Sequence, residues 1–341
     1  DDRVYHLARV PVGGGPVERV VEGRITISDL SVARDGKVAV VKSTQSEPAE
    51  IYAVEDGQLR RLSHQNDAWL AQVKLGPVEE VSFKSFDGME ISGFVVKPPD
   101  YQPGRRYPTI LRLHGGPVWQ LFNDFANFDW QIYAAQGYVV IGVNPRGSSG
   151  RGQNFQRAIW AAWGEKDSRD VLAAVDYLVA AGVADAERLG VGGHSYGGIL
   201  TDQVIARDRR FKAAVSDAGQ GNAIAGYGTD QYTVEYETEL GKPWEKPNTW
   251  LRNSYPFFHA DRIVTPTMFI SGELDFNLPV VNSEQMYQAL KSLGRETQLV
   301  IYPGQYHTFA TPSYRRDRMQ RMLAWYGKYL QAGGVTAPTT R

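Results

Sequence analysis

Gly192-Gly193-His194-Ser195-Tyr196-Gly197-Gly198 is the stretch from which the rest of the chain is read. A strand enters it over Leu189 to Gly192 and an apolar helical segment leaves it after Ser195, so it reads as strand, tight turn and helix. Gly193-x-Ser195-x-Gly197 puts a serine where the backbone must approach itself closely, which only small neighbours allow. Such a turn holds the hydroxyl out of a sheet edge, near the positive end of the following helix. A purely structural glycine-rich turn would use the same letters. The strand–turn–helix context favours a nucleophile at Ser195.

A neutral serine is a poor nucleophile at pH 7, so an imidazole must take its proton as it attacks. On this kind of turn the acid and then the histidine follow the serine in the chain. Only His259 and His307 lie beyond Ser195. His307 follows a strand, in Tyr302-Pro303-Gly304-Gln305-Tyr306-His307, where a loop can deliver it to the sheet edge. His259, in Phe257-Phe258-His259-Ala260, reads as structural. The acid should end the preceding strand, and Met268 to Asp275 supplies Asp275, with Glu273 as its rival. Asp275 would fix the imidazole tautomer and stabilise the imidazolium. An oxyanion needs two donors. The N–H of Tyr196 is one. The buried strand ending Leu111-Arg112-Leu113 opens into His114-Gly115-Gly116-Pro117, where Gly116, with Gly115 behind it, is the second. His114 precedes the serine and reads as structural.

Outward from this core, strands and helices alternate. Val78 to Phe86 and Met89 to Lys97 are strands joined at Asp87-Gly88. Tyr107 to Leu113, Tyr138 to Val143, Phe211 to Ser216, Thr267 to Ser271 and Thr297 to Tyr302 are further strands. Ser168 to Ala181, Pro279 to Leu293 and Tyr314 to Leu330 carry helical spacing. Residues 221 to 260 are irregular, aromatic and helix-prone. The alternation predicts a mainly parallel sheet with helices on both faces, an α/β class. Before residue 77 the character is different. Four short strands (Ile25 to Val32, Val38 to Lys42, Ile51 to Val54, Leu59 to Leu62) are separated by turn signals such as Glu55-Asp56-Gly57-Gln58. That is the size of one propeller blade; a small β-meander appendage is the plainer reading. The predicted domains are therefore 1–77 (β-rich, with a linker from 63), 78–332 (α/β), and a tail at 333–341.

Composition excludes several classes of function. The 341 residues suggest about two domains. A content of 42% hydrophobic residues argues against a mainly disordered chain. Thirty-seven basic residues against 38 acidic advertise neither nucleic acid nor a basic partner. No apolar run approaches the roughly 20 residues of a membrane span. There is no cysteine, which removes disulfides, thiolate catalysis and Cys-ligated metal. No two histidines stand three or four residues apart, so neither metal nor cofactor is expected. The start, Asp1-Asp2-Arg3, is neither a signal peptide nor a natural initiation, and a fragment is expected. Compartment (cytoplasmic, periplasmic or secreted) and homo-oligomerisation stay open.

His114-Gly-Gly-Pro117, Asn144-Pro-Arg-Gly-Ser148, Trp163-Gly-Glu-Lys-Asp167 with Asp170, Gly192 to Gly198, Gly272-Glu-Leu-Asp275 and His307 together resemble the prolyl oligopeptidase family of serine peptidases. The nearest branch is similar to acylaminoacyl peptidases and dipeptidyl peptidases. The resemblance covers roughly residues 78 to 332 and implies an α/β-hydrolase fold, with the β-rich segment similar to the last blade of a propeller. Most of such a propeller is not in this sequence, which implies a shortened chain, a proteolytic product or a split chain whose propeller is a partner. The resemblance further implies that Asn277, two after the acid, reaches the carbonyl of the substrate's second residue. It also implies that the first specificity pocket is lined by aromatics, for which Tyr196, Tyr227, Tyr232 and Trp250 are the candidates. Aromatic walls suit an apolar or proline side chain. Arg146, Asp167 and Asp170 read as structural ion pairs.

The function expected is a serine peptidase acting on short peptides through an acyl-enzyme. A carboxylesterase or lipase-like enzyme would use the same three residues. A non-catalytic binding protein on a hydrolase scaffold is the third reading. Asn277 and the motif set favour peptides over esters, and the intact Ser195, Asp275 and His307 argue against an inert scaffold.

Overall fold

The structure, a computed structural model, describes residues 1–331; the expected tail at 333–341 lies outside the described residues. Six strands form the first part: β1 (Leu7–Arg9), β2 (Glu18–Val21), β3 (Thr26–Val32), β4 (Val38–Ser43), β5 (Glu50–Glu55) and β6 (Gln58–Arg61). β3 to β6 make a four-stranded antiparallel meander in sequence order. The β5–β6 turn shows why Asp-Gly was informative. Asp56 and Gly57 have φ of 50° and 77°. Two consecutive positive φ values match the right-handed twist of the flanking strands. β1 and β2 form a separate antiparallel ribbon that is not among the four strands expected before residue 77.

Eight more strands follow: β7 (Val78–Lys84), β8 (Glu90–Val96), β9 (Tyr107–Leu113), β10 (Val139–Asn144), β11 (Ala184–His194), β12 (Ala213–Asp217), β13 (Thr267–Gly272) and β14 (Thr297–Tyr302). They form one sheet in the order β14-β13-β12-β11-β9-β10-β8-β7. The six strands from β14 to β10 run parallel, and β8 and β7 close the far edge antiparallel. β10, β12 and β13 are buried along their whole length. A strand covered on both faces is apolar on both, which explains why their sequences do not alternate apolar with polar.

One face of the sheet packs against helices Lys166–Ala180, Tyr196–Arg207 and Val280–Ser292, through Val171, Val175, Val204 and Leu290. The other packs against Phe128–Ala135 and Pro312–Leu330, through Trp130, Tyr133, Met322 and Tyr326. This is the α/β-hydrolase architecture, with a small antiparallel β region before it. The helix Phe128–Ala135 is additional to those the sequence predicts, and residues 221 to 260 fold into four short helices between Ala223 and Phe258. Among the described residues no helix is long and apolar enough to cross a membrane.

The N-terminal residues are tied to the large sheet. The Asp2 carboxylate accepts from the Ser92 hydroxyl at 2.9 Å, and the Arg3 guanidinium donates to Glu80 at 2.9 Å. Tyr5 stacks on Phe122 with ring centroids 4.3 Å apart.

Candidate active site

β11 ends at His194, and the helix Tyr196–Arg207 begins two residues later. Ser195 bridges them with φ 63° and ψ −127°. That conformation is unfavourable for a side-chain-bearing residue and persists only where surroundings over-determine it. Here the Ser195 N–H donates to the Asp217 carbonyl at 3.0 Å, anchoring the turn to the end of β12. The end of β9 lies across the turn. A Cβ on Gly197 would sit 2.1 Å from the Leu113 carbonyl oxygen, and one on Gly193 2.5 Å from it. Close backbone approach is therefore the reason for both glycines.

The loops after β13 and β14 complete the constellation. A Cβ on Gly272 would lie 2.4 Å from the Gln305 carbonyl oxygen, so glycine lets the two loops touch. His307 Nε2 is 2.9 Å from Ser195 Oγ, and His307 Nδ1 is 2.8 Å from Asp275 Oδ2. The other carboxylate oxygen of buried Asp275 accepts the N–H groups of Asn277 and Leu278 at 2.9 and 3.0 Å. Glu273 points elsewhere: its carboxylate accepts the Gly304 N–H at 2.8 Å and links the two loops. His259 stacks on Tyr255 with centroids 3.9 Å apart and bonds the Tyr255 carbonyl.

The surroundings of His307 include a group that sequence reasoning did not single out. The His194 ring packs against His307 with centroids 4.7 Å apart. Its Nδ1 is 3.3 Å from the Asp217 carboxylate, to which Arg318 also donates at 3.1 Å. Burial opposes ionisation of Asp217, yet Arg318, His194 and Arg112 outweigh it and hold the carboxyl down at about 2. A fixed negative charge thus lies one ring behind His307.

Tyr196 opens its helix, so its N–H has no intrahelical acceptor. Its side chain is buried, with the hydroxyl donating to Asp167 at 2.6 Å. Burial, only partly offset by that bond, pushes Asp167 up to about 6. Gly116, at φ 126°, lines the same cavity as Ser195. A Cβ on Gly115 would meet Ser195 Cβ at 3.3 Å. His114 Nδ1 donates to the Gly115 carbonyl at 2.7 Å and Nε2 accepts from Ser148 at 2.9 Å; burial lowers its pKa to about 4, so the ring is neutral. Arg146 is buried on Asp170 and also pairs with Asp87, bracing the loop after β10.

A cavity of about 150 Å³ opens beside Ser195. Tyr196 and Tyr232 line it, together with Gly116, Pro117, Trp163, Ile199, Glu235, Tyr236, Glu239 and Leu278. Tyr227 and Trp250 are not on its wall. Trp250 is 1% exposed and packs edge-on against Tyr227 and Tyr236, forming the layer behind it. Asn277 stands at the margin, its amide donating to the Tyr232 hydroxyl at 3.1 Å. Tyr232, Glu235, Tyr236 and Glu239 form one stretch of this wall. Their spacing of three, four and seven is one face of a helix; Thr233–Glu239 is that helix, with Tyr232 at its N-cap.

Residues 123–333 match the sequence profile of the prolyl oligopeptidase family. The chain is 31% identical over 313 residues to an uncharacterized peptidase, YuxL, of Bacillus subtilis, covering 89% of this chain and 47% of that one. It is 29% identical over 335 residues to dipeptidyl-peptidase 5 of Porphyromonas gingivalis, covering 96% and 49%. Among solved structures it is similar to an acylaminoacyl peptidase in complex with Z-Gly-Gly-Phe-chloromethyl ketone, with a TM-score of 0.90 at 26% identity, covering 98% of this chain and 54% of that one. The chain spans about half the length of the curated relatives it matches. With the profile spanning more than half of the sequence, the chain belongs to the prolyl oligopeptidase family.

Proposed function

We propose that this chain is the catalytic part of a serine peptidase that hydrolyses short peptides, as acylaminoacyl and dipeptidyl peptidases do, through an acyl-enzyme. The observation that carries the reading is the unbroken relay Ser195 Oγ–His307–Asp275, at 2.9 and 2.8 Å, with the serine on a strained turn beside a cavity. Ser195 Oγ attacks the scissile carbonyl while His307 Nε2 takes its proton. His307 then returns the proton to the leaving amine. Asp275 keeps Nδ1 protonated and offsets the charge of the imidazolium; it can do so because two backbone N–H groups and His307 satisfy it in a buried position. The N–H groups of Tyr196 and Gly116 are the proposed donors to the oxyanion. Deacylation repeats the sequence with water as the nucleophile.

Tyr232 and Tyr196 form part of the first side-chain pocket in this reading, and Asn277 is the amide that meets the second carbonyl. Tyr227 and Trp250 support that wall from behind. The 1–77 segment and the 78–332 unit are proposed as a blade-like appendage and the catalytic domain. Labelling with a fluorophosphonate, followed by assay of an acyl-dipeptide anilide, tests the proposal. Adduct formation on Ser195 and anilide release are the expected results. A chain that neither labels nor releases the anilide would overturn it.

A further inference from the structure

The helix face Tyr232-Glu235-Tyr236-Glu239 puts two carboxylates on the wall of the cavity beside Ser195. Among the described residues neither Glu235 nor Glu239 forms an ion pair. The nearby Arg252 is committed to the Ala161 carbonyl at 2.7 Å and to Glu165 at 3.6 Å. One oxygen of Glu239 accepts both the Ala161 N–H, at 2.8 Å, and the Trp163 indole N–H, at 2.7 Å. Those two donors hold its carboxylate in place. They leave the second oxygen for something else, since a carboxylate has acceptor sites on both oxygens. Glu235 is exposed and makes no such bonds that would use it up. Asp167, behind Tyr196, adds acidity rather than a balancing cation.

The rest of the wall is apolar, with Trp163, Tyr196, Tyr232 and Tyr236 as its aromatic members beside Pro117, Ile199 and Leu278. Aromatic faces attract a cation as well as an alkyl stem. Lysine and arginine have that composition, an apolar stem with a charged head. A purely apolar side chain would desolvate the carboxylates without pairing them, which is unfavourable. We propose that this pocket selects substrates with lysine or arginine at the residue that donates the scissile carbonyl, with Glu235 and Glu239 as the specificity-determining residues. The expectation from aromatic lining alone, an apolar or proline side chain, is thereby replaced. The inference rests on the reading of Ser195 as the nucleophile.

The test compares kcat/KM for acyl-Ala-Lys, acyl-Ala-Arg and acyl-Ala-norleucine p-nitroanilides, norleucine having a stem like that of lysine without the charge. Wild type should favour lysine over norleucine at least about tenfold, a discrimination in the range of one charged contact. E235Q and E239Q should each lower that ratio several-fold, measured against active sites titrated with fluorophosphonate. E239Q also disturbs the Trp163 and Ala161 bonds, so E235Q, on an exposed side chain, is the variant free of folding effects. Norleucine turned over as well as lysine by a wild type that labels normally would sink the proposal and leave the serine-peptidase reading standing. A ratio unchanged in both variants would sink the assignment to these residues. Absence of both labelling and turnover would overturn both readings.

Discussion

At Ser195 the backbone holds φ at 63°, a conformation that costs roughly 1–3 kcal/mol for a residue with a side chain. The cost is carried by the bond to the Asp217 carbonyl and by the packing of β9 across the turn. It places Oγ within 2.9 Å of His307. Ser195→Ala should therefore abolish turnover by about 10⁶-fold with the fold intact, because such residues act as a unit. A variant keeping more than about one-hundredth of the activity in a progress-curve assay would show that another nucleophile is in use. Asp275→Asn should cost about 10⁴-fold by favouring the wrong tautomer of His307. If Glu273→Gln were more harmful than Asp275→Asn, the acid would be misassigned. Asn277→Ala should slow an acyl-dipeptide anilide about 10- to 100-fold, the loss of one polar partner. Nitrophenyl acetate has no second carbonyl, and its hydrolysis should change little. Equal losses on both would make Asn277 a loop-shaping residue through its bond to Tyr232.

Among the elements, the crossing of β9 with the turn between β11 and its helix sets the position of everything else. Gly197 is needed there for space: its Cβ would lie 2.1 Å from the Leu113 carbonyl and 2.8 Å from the Leu113 carbonyl carbon. Backbone cannot swing aside as a flexible side chain can. Gly197→Ala should cost at least the roughly 1–3 kcal/mol typical of overpacking and lower the urea midpoint clearly. Gly137→Ala is the useful contrast. No atom within 4 Å would meet its Cβ, and its penalty comes from φ 86° alone. Similar midpoints for the two variants would mean that the crossing is more compliant than its distances indicate. The helix Thr233–Glu239 is the other decisive element. Its residues were in plain view, but a seven-residue helix embedded in an aromatic, irregular stretch carries too little periodicity to be separated from its neighbours.

For the molecule as a whole, buried carboxyls make stability depend on pH in two directions. Asp202, buried in the helix Tyr196–Arg207, is pushed up to about 8 by burial, opposed by a hydrogen bond from Ser216. Between the ordinary carboxylate range and about 8 the folded state holds a proton that the unfolded state has lost. Stability from this group is fully present below the unfolded pKa and falls as pH rises through that window. Asp217 works the other way: with its pKa near 2, its contribution is present at neutral pH and is lost as the medium is acidified toward that value. Asp202→Asn should flatten the decline, so the variant's urea midpoint should gain on wild type between pH 5 and pH 8. A gap that stays constant across that range would show that Asp202 does not hold its proton in the folded state.

Ser195, Asp275 and His307 could be nominated from sequence because their signals are local. A glycine-flanked serine between strand and helix, an acid at a strand end and a histidine on the next loop each depend on a few neighbouring residues. The same locality explains why the alternation of strand and helix segments predicted a mainly parallel sheet covered on both sides. The order of strands in that sheet, and the distances between residues far apart in the chain, are not local. The contacts of Asp2 and Arg3 with the large sheet, the charge of Asp217 behind His194, and the bond from Asn277 to Tyr232 join segments that no short pattern connects. The chemistry of the cavity wall belongs with them. Sequence pointed to aromatic residues there, but only packing decided that Trp250 is core, that Tyr236 is wall, and that Glu235 and Glu239 accompany it. Residue type and spacing limit what a segment can become; which face meets which neighbour is set by burial of the whole chain at once.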